Sequence, residues 1–248
     1  MDDQQGSVQP LHVLCVLGSG MDLDNVEMAV RAIGGPLFSL DRTESDLEHD
    51  PRMPDAFEAC MAELTFTDAD WDAVHEHDSV AYVLAQGGPG DSEYIAERML
   101  ALVAELFERC GATAIKCESS GLAHGRDTWL ELAASADAPD AQLQAWVKRP
   151  ILSEDLLFTC GMHLLGRPDV ELQVDDLSDA SRRGEWVELI DGLTGYLHID
   201  APAEIRDGEG FRLAEDAPRW ILRQQDCDRY PEDDIFYNPQ GYWRLTPS

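Results

Sequence analysis

Two uninterrupted apolar segments constrain this chain more than anything else in it: residues 11–17, Leu-His-Val-Leu-Cys-Val-Leu, and residues 79–85, Ser-Val-Ala-Tyr-Val-Leu-Ala. A strand with one wet face alternates apolar and polar side chains. These two are apolar at nearly every position, so each reads as an interior strand of a sheet covered on both faces. Their neighbours supply the order. Residues 22–33 carry Val26, Ala29, Val30 and Ile33 at helical spacing and stop at Gly34-Gly35. Residues 62–67 alternate as a half-buried strand, residues 91–110 form a strongly amphipathic helix with Ile95, Met99, Leu102, Val103, Leu106 and Phe107 on one face, and residues 113–117 make another strand. The resulting β-α-β-β-α-β order is that of a ferredoxin-like unit, whose first and third strands are central. Residues 41–54 read as an exposed loop, 56–61 as a short helix and 68–78 as an acidic connection.

The second half predicts helices over 126–136 and 140–148, then two apolar runs, 157–165 and 170–174, joined as a hairpin by the Gly166-Arg167-Pro168-Asp169 turn. Residues 176–179 offer capping oxygens to a helix that carries Trp186, Val187, Ile190 and Leu197 and packs on that hairpin. Short strands are expected at 211–213 and 219–223, and a last one within 235–245. The predicted fold class is α+β: a tail over 1–10, then one compact domain over 11–248. In it a ferredoxin-like half, 11–117, has its second sheet face covered by a packed half, 118–248, of helices and antiparallel strands.

The pattern Thr159-x-Gly161-Met162-x-x-x-Gly166-x-Pro168-Asp169 resembles a stretch of the bacterial domain of unknown function 4261 family. The resemblance extends to the first apolar strand and to residues 115–121, Ile-Lys-Cys-Glu-Ser-Ser-Gly. It implies a bacterial fold relative and no catalytic residues.

Charge narrows the function classes. The chain of 248 residues has a formal net charge of −31, and residues 1–110 hold 23 of the 49 acidic residues but 5 of the 18 basic ones. Nucleic acid and anionic membrane surfaces need clustered Lys and Arg, so neither is an expected partner. A cationic protein is. The six cysteines, Cys15, Cys60, Cys110, Cys117, Cys160 and Cys227, form no C-x-x-C pair, and the N-terminus, Met-Asp-Asp-Gln-Gln, lacks the basic and apolar regions of a signal peptide. A cytoplasmic location with reduced thiols is expected.

Chemistry-bearing residues concentrate in the loop after the 113–117 strand. Cys117, Ser119, Ser120, His124 and Asp127 supply nucleophile, base and acid types, without a G-x-S-x-G elbow. The same loop offers Glu118, His124 and Arg126 for binding, and Asp68, Asp70, Asp72 and Glu76 form an acidic surface run. His75-Glu76-His77-Asp78 has metal-ligand types but no H-E-x-x-H spacing, Asp68, Asp70 and Asp72 lack the glycine and closing glutamate of a calcium loop, and Gly18-Ser19-Gly20 lacks the remainder of a phosphate loop. No metal or cofactor is expected. His12 and His163 read as core histidines, and Arg167 as a local partner of a carboxylate.

The function that follows is a non-enzymatic, acidic binding protein of immunity type, which neutralises a basic toxin or effector by protein-protein interaction. Two alternatives stand beside it: a small hydrolase or transferase using the 117–127 loop, and a scaffold or assembly module.

Overall fold

The computed structural model describes residues 8–88, 90–153, 155–174, 180–200 and 204–248. They form two compact units, Leu11–Trp146 and Val147–Ser248, the second including residues 8–10. The expected cap at 176–179 and residues 1–7 of the expected tail lie outside the described residues. The fold is α+β. Among the described residues no helix is long and apolar enough to cross a membrane.

In the first unit, β1 (His12–Gly18) leads through α1 (Leu23–Ala29) to β2 (Phe38–Asp46), and β3 (Ser79–Ala85) leads through α4 (Ser92–Arg109) to β4 (Ala112–Cys117). α2 (Met53–Glu58) and α3 (Asp68–Glu76) are inserted between β2 and β3, and β5 (Leu122–Ala123), α5 (Arg126–Ala133) and α6 (Pro139–Trp146) follow β4. The sheet runs β2-β3-β1-β4-β5 and is antiparallel throughout. Its first four strands have the ferredoxin-like order, with the two continuously apolar strands inside. Every residue of β1 is buried. Gly18 ends it in a space too tight for a side chain, because a Cβ there would lie 2.8 Å from Met21 Cβ and 3.1 Å from Gly111 O. The turn beyond gives its Gly20 amide to the Asp78 carboxylate at 2.9 Å, which occupies the donor that a phosphate loop would present.

Three expectations are corrected here. The second strand is β2, not residues 62–67, which make a 3-10 turn at Glu63–Thr65. β2 was expected to be loop because its residues 41–46 are polar; it is an edge strand whose pairing with β3 is interrupted between Asp41 and Asp46, where Ser45 Oγ accepts from Tyr82 N at 3.0 Å. Residues 68–76, expected to be an acidic connection, are α3, opened by a capping box between Thr67 and Asp70. Finally, α2 and α3 themselves build a layer over one sheet face, packing Met53, Phe57 and Val74 against Cys15, Leu17, Val80 and Ala114. The expectation had assigned that role to residues 118–248. α4 lies against β4 and against α1.

The second unit is a six-stranded sheet in the order β6-β7-β8-β11-β10-β9. β6 is Lys148–Ser153, β7 Leu156–Cys160, β8 Asp169–Gln173, β9 Gly210–Phe211, β10 Trp220–Gln225 and β11 Tyr242–Pro247. Among the described residues of this sheet only β8 and β11 pair in parallel. α7 (Ala180–Gly195) packs on β6, β7 and β8 and buries Trp186, Leu189, Ile190 and Leu193, so the helix does sit on its own hairpin. The hairpin loop is longer than the expected four-residue turn. β7 stops at Cys160 because Gly161 turns to φ +115°, and a 3-10 turn, Met162–Leu165, carries the chain to Gly166 at φ +69°. Buried Asp169 pins this loop, accepting from Thr159 Oγ1 at 2.8 Å, Asn238 Nδ2 at 2.7 Å and Met162 N at 3.3 Å. Next to it on the same strand, buried Glu171 receives Arg229 at 2.7 Å and Arg244, and the Arg229 guanidinium lies 3.9 Å from the centre of the Phe158 ring.

Candidate binding site

The loop after β4 is drawn inward. Cys117 is fully buried, and burial pushes its thiol up to about 11, so it stays protonated. Ser119 is a backbone clamp: its hydroxyl donates to Leu11 O at 2.6 Å and accepts from Val13 N at 3.0 Å. Ser120 is buried beside the Cys117 thiol. His124 donates Nε2–H to Gln144 O at 2.9 Å and stands edge-on to Trp129; burial lowers it to about 4, which leaves it neutral. Asp127 sits exposed in the first turn of α5, its nearest charged partner being Arg126 at 3.9 Å. Thus the structure brings Cys117 and Ser120 together, ties Ser119 to β1, turns His124 toward α6 and leaves Asp127 in solvent.

The residues put forward for binding divide in the same way. Glu118 holds the buried Lys116 ammonium at 2.9 Å, and this ion pair, opposing the effect of burial, keeps the lysine above its ordinary range. Asp70 ties two helices together, because its Oδ2 receives Thr67 N at 2.8 Å while its Oδ1 receives Arg126 N at 2.8 Å. The Arg126 side chain leans over Phe107. Asp68, Asp72 and Glu76 are different: all three are exposed. Spaced i, i+4, i+8, they line one face of α3 as an acidic stripe.

The residue that follows α3 braces a cleft. At the end of α3, His77 is buried, donates Nδ1–H to Val74 O at 2.6 Å and accepts at Nε2 from Asp50 N at 3.0 Å. Burial lowers its basicity, consistent with this neutral tautomer. The His49 ring packs 4.4 Å from it, with Nδ1 on His77 O at 3.0 Å. These contacts fix the segment that closes a cleft of about 260 Å³, lined by Glu44, Asp46, Glu48, His49, Asp50, Pro51, Arg52, Val80 and Tyr82. Four carboxylates face one guanidinium there. Arg52 is committed to Asp50, with Nη2 to Oδ2 at 2.6 Å, and these bonds hold the Asp50 carboxyl down at about 2. Glu44, Asp46 and Glu48 give the cleft its excess negative charge, while Val80 and the Tyr82 ring give it an apolar wall. Such a lining suits a Lys or Arg side chain, whose stem packs on apolar surface while its head meets carboxylates.

None of these cleft residues was singled out from the sequence. A signal was there: carboxylates at 44, 46, 48 and 50 recur at every second position, which puts them on one side of an extended chain. Among the described residues no group of three or more His, Cys, Asp or Glu side chains could hold a metal ion, and His75 and His77 separate into an exposed and a buried side chain. Compared with family models, with curated proteins and with solved structures, the chain matches none.

Proposed function

We propose that this chain is a non-enzymatic, cytosolic binding protein of immunity type, which neutralises a basic bacterial toxin or effector by seating a Lys or Arg side chain of it in the acidic cleft. The observation that carries this reading is the cleft itself, with three carboxylates in excess of its internal ion pair. The inward commitments of Cys117, Ser119 and His124 support binding over the hydrolase or transferase alternative. Physically, the acidic face speeds encounter with a cationic partner, and desolvated contacts supply the affinity.

The test is capture of the partner from the native cell, followed by association kinetics with the purified pair. The on-rate is expected to fall steeply between ~0.01 and ~0.15 M salt, as the Debye length shrinks from about 30 to about 8 Å. The combined Glu44→Gln, Asp46→Asn, Glu48→Gln variant should slow association about 10-fold or more at the lower salt. An on-rate indifferent to salt and to this variant, or captures that repeatedly return no protein, would sink the proposal.

A further inference from the structure

α7 does more than cover its sheet, because the connection from β9 to β10 is pressed against it. Gly192 permits the approach: a Cβ there would lie 2.2 Å from Leu213 Cδ2, so a side chain at this position would push the connection away. One turn further on, the Phe211 ring stands 5.9 Å from that of Tyr196. Trp220, at the start of β10, is paired with Pro247 at the end of β11. Together these parts enclose a cleft of about 390 Å³, lined by Trp186 and Leu189 from α7, Leu213 and Pro218 from the connection, and Trp220 and Pro247 from the end of the sheet. That volume falls within the range of small-molecule sites, about 300–1,000 Å³.

The lining is apolar and twice aromatic. Leu213 keeps 45% of its surface exposed, and Trp220 is half-buried, so part of this apolar surface stands in water and is stabilised by whatever removes it. The charged groups of the cleft all come from α7: Arg182, Glu185 and Glu188. The Arg182 guanidinium lies 4.9 Å from the centre of the Trp186 ring, held against the face of the indole. Neither glutamate has an ion pair or a side-chain hydrogen bond among the described residues. An anion entering here would meet two carboxylates for one guanidinium, and the −31 charge of the chain would oppose it as well. A cation is favoured on both counts, and a ring attached to it fills the aromatic recess.

We propose that this cleft binds a small arylalkyl amine, its ring in the recess lined by Trp186, Leu213 and Trp220 and its ammonium on Glu185 and Glu188. The site is independent of the acidic cleft of the first unit.

The experiment is calorimetric titration of the full chain with tryptamine and phenethylamine up to ~10 mM, tenfold above a dissociation constant of about 1 mM. Three compounds are measured alongside: indole-3-ethanol, which keeps the ring and lacks the charge, indole-3-propionate, which reverses the charge, and ethylamine, which lacks the ring. At least one arylalkyl amine is expected to bind with a dissociation constant of about 1 mM or below. The alcohol should bind about 5-fold more weakly than tryptamine, as an exposed ion pair at the upper end of its usual strength predicts, and the propionate more weakly still. Ethylamine should give no saturable heat. The combined Glu185→Gln, Glu188→Gln variant, altered at two exposed positions, should bind tryptamine and the alcohol alike. The Glu44→Gln, Asp46→Asn, Glu48→Gln variant should bind tryptamine as the parent does. No binding of either amine, an alcohol or propionate that binds as tightly as tryptamine, ethylamine that matches tryptamine, or loss of tryptamine binding in the variant of the acidic cleft would each overturn the proposal. The compound series is measured on the unaltered chain, so it decides the matter even if a variant fails to fold.

Discussion

Replacing Ser119 by Ala tests whether this hydroxyl is a clamp or a nucleophile. The Ser119 hydroxyl bridges Leu11 O at 2.6 Å and Val13 N at 3.0 Å, and both Ser119 and Val13 are buried. Alanine would remove two hydrogen bonds and leave the Val13 N–H, which points at the serine, without an acceptor. A typical bond contributes about 1 kcal/mol net, and a buried donor left without a partner costs about 1–3 kcal/mol. The expected destabilisation is therefore ~2–4 kcal/mol. With a urea dependence of about 1–3 kcal/mol per molar, the midpoint should fall by ~1–2 M, followed by tryptophan fluorescence. Partner binding in the absence of urea should persist, since the folded surface is unchanged. A midpoint within about 0.2 M of the parent would refute the clamp. So would loss of a measured turnover at undiminished stability, which would also restore the catalytic alternative.

Other outcomes follow from the second unit. Burial raises Asp169 to about 6 from an ordinary value near 3.8, so the folded state binds this proton more tightly than the unfolded one. The group therefore opposes folding at neutral pH, and its contribution to stability should improve as pH falls from about 7 toward 4, read as a smaller loss on acidification in the parent than in Asp169→Asn. A pH dependence identical in the two proteins would contradict this. Glu171→Gln leaves Arg229 and Arg244 facing a neutral amide in a buried setting. Breaking a buried ion pair costs about 3–5 kcal/mol, and because both arginines keep some solvent access the lower end is expected. Calorimetric melting at unchanged temperature would show that the triad contributes nothing.

How much of this could be read from the residues depended on how strongly burial patterned them. β1 and β3 were legible because being covered on both sides demands an apolar residue at almost every position, and α4 because one face of an 18-residue helix is buried. β2 was not legible: as an edge strand it keeps Asp41, Arg42, Glu44 and Asp46 in or near water, and its bulge destroys the two-residue alternation. α3 was hidden for a related reason. Acidic residues in its first turn favour a helix N-terminus, yet in a chain this acidic they look like solvated loop, and the Thr67-Asp70 capping box was the signal that could have separated the two. Asp68, Asp72 and Glu76 come forward as binding candidates because they lie close together in sequence. Tyr82 and Val80 come from a central strand, and their meeting with Glu44, Asp46 and Glu48 is a product of strand pairing that no local pattern announces.

The position of β1 has a consequence in time. Its two sheet neighbours are β3 and β4, so the most apolar strand of the first unit is made first and paired late. Nothing can cover its β3 edge until synthesis has passed Ala85, and its β4 edge must wait for Cys117. At about 5–20 residues per second, the interval from Gly18 to Ala85 alone lasts ~3–13 s. For that period a nascent chain displays Leu14, Cys15, Val16 and Leu17 with no partner strand, and the helices inserted between β2 and β3 lengthen the delay. A biosynthetic chaperone that shields short apolar segments would therefore find its substrate here, at the very start of the fold, long before either candidate site exists.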